Sequence, residues 1–124
     1  MKWKFTGDRP VYQQIMETVI GSVLKGELKP GQKVPSVRDL AAEAKVNPNT
    51  MQRALTELER EGLLVGGGTS GRTVTTDDAI LEAMRQNALE QVARECAEKF
   101  RLYGVSPADA AQLLLALDAE KEEV

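Results

Sequence analysis

The sequence predicts a mainly α-helical fold with one small β-hairpin, and three observations carry that prediction. Ser36 to Gly62 reads as two capped helices joined by a tight turn. Leu63 to Thr75 holds two short β-rich runs around a glycine-rich turn. From Ile80 to Phe100 an apolar residue returns every fourth position, the spacing of one long amphipathic helix. The chain of 124 residues suits one small domain with an appendage and is too short for two ordinary cores. The expected division is residues 1–75 and a helical tail of 76–124.

The first helix follows a short Trp3 to Phe5 alternation. Val11, Tyr12, Ile15, Met16, Val19, Ile20, Val23 and Leu24 form two adjacent columns spaced by four, and Gly26 stops them. Gly21 lies inside this helix at a cost of about 1 kcal/mol relative to alanine; it marks a close helix crossing or nothing at all. Pro30 and Gly31 make a turn, with room for a very short strand at Lys33 and Val34.

Ser36 can cap the second helix, with Asp39 as the acidic partner three residues on, and Val37, Leu40, Ala41 and Ala44 give it one apolar face. The turn falls at Lys45 and Val46. Asn47 offers the next cap, Pro48 suits a first helical position that needs no amide donor, and Met51, Ala54, Leu55 and Leu58 form the buried stripe. This is the shape of a helix-turn-helix. Asn49, Thr50, Gln52 and Arg53 remain outward on the third helix, and these groups can read base edges and grip phosphates. A hairpin placed directly after such a helix is a wing, so residues 1–75 read as a winged helix-turn-helix.

Thr76 or Asp77 can cap the long fourth helix, in which Ile80, Met84, Ala88, Val92, Cys96 and Phe100 line one stripe before Gly104 ends it. Ser106 begins the last helix, whose apolar face holds Ala110, Leu113, Leu114 and Leu117. A helix from about Asp77 to Tyr103 would run roughly 40 Å, longer than the domain it leaves. Its leftover stripe, with Leu113, Leu114 and Leu117, therefore needs a partner, and a second copy of the chain fits as an isologous homodimer.

Charge follows the same division. Residues 1–75 hold 11 Lys plus Arg against 8 Asp plus Glu, while residues 76–124 hold 5 against 11. The net charge of -3 thus hides a mildly basic first part, as expected where one segment faces the phosphates of double-stranded DNA. The single Cys96 forbids an internal disulfide and reads as a buried thiol in a reducing compartment. No apolar run approaches the roughly 20 residues of a membrane span, and the expected location is cytoplasmic.

Enzymatic readings find little support. There is no histidine, and the carboxylates are scattered over helix surfaces, so no metal, cofactor or catalytic constellation is expected. Gly66 to Gly71 satisfies the glycine spacing of a dinucleotide loop, but a β-rich stretch follows where a helix would have to begin. Three binding readings stand: a DNA-binding regulator, a winged-helix protein-interaction module that docks through its acidic tail, and a dimeric ligand sensor with a pocket between the tail helices, which is compatible with DNA binding.

The linked motifs are Pro10 to Ile15, Leu28 to Leu40, Val46 to Leu55 and Leu58 to Leu64. In that order they resemble the GntR-type winged-helix transcriptional regulators, and the short two-helix tail is similar to the YtrA-like subfamily. The resemblance implies DNA contacts by Arg38, which follows the Pro35-Ser36-Val37 run, and by Thr50. It also implies a wing tip that approaches the minor groove through Gly67, Gly68 and Arg72. Many members carry arginines where this chain has Pro48 and Gln52, so their base preferences do not transfer. No separate effector domain is implied, and a small-molecule effector stays open. The site expected from residues and resemblance together is Ser36, Arg38, Asn47, Asn49, Thr50, Gln52 and Arg53 with the wing. Repression is favoured over activation because occupying a promoter palindrome needs no further contact. Arg53 could instead pair with Glu57 along its helix, Asn49 could be a helix-start residue with no ligand, and Lys33 and Lys45 could be solvated or phosphate-bound.

Overall fold

The computed structural model describes residues 1–66 and 71–122. Its order is α1 (Val11–Leu24), α2 (Val37–Ala44), α3 (Pro48–Arg60), β1 (Leu64–Gly66), β2 (Arg72–Val74), α4 (Asp78–Leu102) and α5 (Pro107–Glu122). The chain divides into two compact units, Met1–Arg85 and Gln86–Val124, so the division falls inside α4.

In the first unit α1 and α2 both pack on α3. Their apolar stripes meet in one core: Ile15 and Val19 from α1, Leu40 from α2, and Met51, Ala54, Leu55 and Leu58 from α3 are almost wholly removed from water. Leu63, Leu64 and Val74 close it from the hairpin side. The hairpin is antiparallel, with Leu64 opposite Val74, Val65 opposite Thr73 and Gly66 opposite Arg72. The expected short strand at Lys33 and Val34 is a single rung on β2: Lys33 bridges Thr73, and the Val34 N–H donates to the Arg72 carbonyl at 2.9 Å. Gly62, at φ +90°, makes the turn from α3 into the wing, and the Ile80 side chain sits where a Cβ there would go, 3.1 Å away.

The four helices after α1 start where the sequence places a cap, whereas α1 begins after Pro10 without a side-chain cap. Ser36 Oγ accepts from the Asp39 N–H at 3.1 Å, Asn47 Oδ1 from the Asn49 N–H at 2.8 Å, and Ser106 Oγ from the Asp109 N–H at 3.2 Å. Of the two candidates before α4, Asp77 is the cap and accepts from the Ala79 N–H at 2.9 Å. The turn between α2 and α3 places Lys45 at φ 58°, a left-handed position usually given to glycine. The amino-terminal segment is held by the buried Gln14, whose amide accepts from the Thr6 N–H and donates to the Thr6 and Arg9 carbonyls, each at 2.8 Å. Trp3 and Phe5 stack beside it, with centroids 6.3 Å apart.

A Cβ at Gly21 would meet nothing within 4 Å, which removes the close-crossing reading of that glycine. Gly21→Ala should therefore stabilise the protein by about 0.5–1 kcal/mol, seen as a higher urea midpoint at unchanged slope. A lower midpoint would contradict the packing described for α1.

In the second unit, Ala88, Cys96, Ala97 and Phe100 of α4 are half-buried and Ala110 of α5 is buried. Cys96 differs from the expected buried thiol, because one pair of helices cannot enclose a side chain on every side. Leu89, Val92, Leu113, Leu114, Leu115 and Leu117 stand exposed. Ile80 and Met84, assigned from sequence to the dimer stripe, lie in the first unit, where both are half-buried, Ile80 against Gly62 and Met84 against the core. Among the described residues no helix is long and apolar enough to cross a membrane.

Candidate nucleic-acid interface

The apolar stripe of α3 faces the core, so the opposite side of its first turns must face solvent. Asn49, Gln52 and Arg53 are exposed there and Thr50 is half-buried. Gln52 Nε2 donates to Thr56 Oγ1 at 3.1 Å, which aligns the amide along the helix. Arg53 does not pair with Glu57, which faces Arg60 at 3.2 Å. Its guanidinium lies over the Tyr12 ring of α1, 3.8 Å from the centroid. Asn49 lends its backbone N–H to the Asn47 cap and keeps its side chain outward.

Arg38 occupies the first turn of α2, where a cation opposes the helix dipole. A purely structural arginine there would need a carboxylate, and among the described residues none pairs with it. Ser36, Asn47 and Lys45 lie exposed at the helix ends beside it in sequence, the first two acting as caps. The arrangement presents amide, hydroxyl and guanidinium groups on one capped, solvent-facing helix start, with no apolar obstruction among those residues.

The wing is braced on α3. Arg72 of β2 pairs through Nε with the Glu59 carboxylate of α3, and the two side chains are only 18% and 32% exposed. Gly66 leaves the space for this contact: a Cβ there would lie 2.8 Å from Glu59 Oε2. Arg72 is thus a brace in this structure, not a free cation at the wing. Gly67 and Gly68, expected at the wing tip, lie outside the described residues. Gly66→Ala should push the Glu59 carboxylate off Arg72 and cost up to about 1 kcal/mol, since a partly exposed pair contributes no more. A double-mutant cycle with Glu59→Gln reads this directly: the alanine penalty should shrink once the carboxylate is gone, and full additivity would refute the brace.

Comparison with known proteins decides the family. The model of the gntR family of bacterial regulatory proteins matches residues 11–74, from α1 through β2. The chain belongs to the GntR family. It is 30% identical to the HTH-type transcriptional regulator YhcF of Bacillus subtilis over 103 residues, covering 83% of this chain and 85% of that one. The HTH-type transcriptional repressor YtrA of the same organism is 51% identical over 55 residues, 44% of this chain and 42% of its own. Among solved structures, a GntR family transcriptional regulator from Listeria monocytogenes superposes with a TM-score of 0.78 at 26% identity, covering 94% of this chain and 98% of that one. As a GntR protein the chain is a DNA-binding transcriptional regulator with a winged-helix domain and a C-terminal helical segment.

Two residues beside the candidate interface, Tyr12 and Glu59, make contacts that the sequence does not specify. The sequence places Tyr12 on the apolar face of α1 and within the Pro10 to Ile15 motif, and Glu59 within the Leu58 to Leu64 motif, with no contact assigned to either. Tyr12 is the second residue of α1, two after Pro10, and that position carries no signal of its neighbour on α3. Glu59 carried a weak signal: it sits one turn before the wing that it braces.

Proposed function

We propose that this GntR regulator binds a palindromic operator as a homodimer and represses transcription there. The observation that carries the reading is the free polar face of α3 together with an unpartnered apolar arm in the second unit. Leu113 and Leu117 are 53% and 60% exposed, and Leu114 and Leu115 are exposed beside them. Successive leucines at 100° steps give α5 apolar surface on more than one side, which water does not favour and a second chain can cover. Val92 and Leu89 add to the same demand on α4. A two-fold pair of chains would present two α3 helices to half-sites about one helical turn apart. Occupying such a site within a promoter excludes polymerase without any further contact, which favours repression. Asn49, Thr50, Gln52 and Arg53 would meet base edges in the major groove, with Arg38 and Lys45 on phosphates.

The test is titration of the purified protein against a duplex selected from a random pool and against its scrambled counterpart, at two salt concentrations. The proposal expects affinity for the selected duplex at least about a thousandfold higher, with both affinities falling steeply with salt. Equal affinity for the two duplexes would instead favour a protein-interaction module.

A further inference from the structure

Arg53 is an exposed arginine whose flat face is already occupied. The Tyr12 ring covers it at 3.8 Å, and among the described residues no hydrogen bond or ion pair engages its N–H groups. Stacking uses the face of a guanidinium and leaves its edge free, and the edge carries the donors that form a two-pronged contact. Tyr12 is itself half-buried in the first turn of α1, a helix whose Ile15 and Val19 belong to the core, so the ring is a fixed platform. A long arginine at an exposed site otherwise samples many rotamers, and ordering it on binding costs affinity.

We infer that Tyr12 is a positioning residue for DNA recognition: its ring holds the Arg53 guanidinium with the edge presented to a planar pair of acceptors on DNA. The acceptor pair is chemically the same problem at guanine O6 and N7 or at two phosphate oxygens. A lysine cannot fill the role, because an ammonium has neither the flat face nor the fork. The inference rests on the reading that Arg53 meets DNA, and it adds a residue from α1 that acts through Arg53.

The experiment measures dissociation constants by fluorescence anisotropy on the selected duplex and its scramble, with the full chain and the variants Tyr12→Leu, Tyr12→Phe, Arg53→Lys, Arg53→Ala and the Tyr12→Leu/Arg53→Ala pair. Tyr12→Leu should weaken the selected duplex roughly fivefold, the size expected of an exposed cation–π contact. Tyr12→Phe should stay within about twofold, since Phe keeps the ring face. In the Arg53→Ala background Tyr12→Leu should have almost no further effect. Equal losses in both backgrounds would mean a general packing role and overturn the inference. So would tighter binding by Tyr12→Leu, which would mean that the ring holds Arg53 away from DNA, or wild-type affinity in Arg53→Lys. Arg53→Lys and Tyr12→Phe leave the core intact, so the inference stays exposed to refutation even if Tyr12→Leu fails to fold. A Tyr12 effect confined to the selected duplex identifies the acceptor as a base edge, and an effect equal on the scramble identifies phosphate. If Arg53→Ala itself changes nothing, the reading of Arg53 fails; if it weakens binding while Tyr12→Leu does not, the positioning role alone fails.

Discussion

Arg53→Ala is expected to weaken binding to the selected duplex by roughly ten- to a hundredfold, the range set by loss of one two-pronged base contact. The loss should be concentrated at one base-pair position of each half-site, where the preference for the native base relaxes. Stability should barely change, because the side chain is exposed and its one described contact is the Tyr12 ring. Lys45→Ala is the contrasting case. Lys45 sits at the left-handed turn between α2 and α3, and alanine suffers the same backbone strain as lysine, so the substitution removes the charge alone. It should weaken all duplexes alike and reduce the salt slope by about one. Selection of binding sites by the Arg53→Ala protein, with titrations at several salt concentrations for Lys45→Ala, separates the two roles. Equal losses for Arg53→Ala on selected and scrambled DNA would refute a base-reading arginine.

The second large effect is expected on the arm. Leu113→Asp combined with Leu117→Asp places two charges on one stripe of α5, four residues apart, where both leucines are now exposed. If a second chain covers that stripe, burying two carboxylates there is untenable, and sedimentation should show monomers. Affinity for the palindrome should then fall by at least about a hundredfold, because each half-site is bound without its tethered neighbour. The first unit should keep its unfolding midpoint, since its core is built from Ile15, Leu40, Leu55 and Leu58. A dimer that survives both substitutions would contradict the use of α5 as the pairing surface.

Much of this was legible in the sequence because the deciding interactions are local. Ser36, Asn47 and Ser106 cap the helices they precede, and a cap is fixed by residues within one turn of each other. The stripe of Met51, Ala54, Leu55 and Leu58 fixed which side of α3 remained outward, and so exposed Asn49, Gln52 and Arg53. What escaped were contacts between side chains far apart along the chain. Tyr12 under Arg53, and Glu59 wedged between Gly66 and Arg72, depend on how α1 and the wing dock on α3, which no periodicity encodes. By spacing alone the stripe of α4 is continuous from Ile80 to Phe100. Its first turns belong to the winged-helix unit because Gly62 leaves a space that Ile80 fills. A glycine at a helix end signals a turn in the sequence, and only the fold shows what lies against it.

The proposed function puts the outer side of α3 in the major groove, once for each of two chains on a symmetric site. Hydroxyl-radical footprinting on the selected duplex tests it most directly. Two protected half-sites related by two-fold symmetry are expected, centred about 10 base pairs apart or at a multiple of that spacing. On the same duplex, protection of guanine N7 from dimethyl sulfate, which reports the major groove, should be lost when Asn49, Gln52 and Arg53 are replaced together by alanine. A single asymmetric footprint, or an unchanged one in the triple variant, would contradict it.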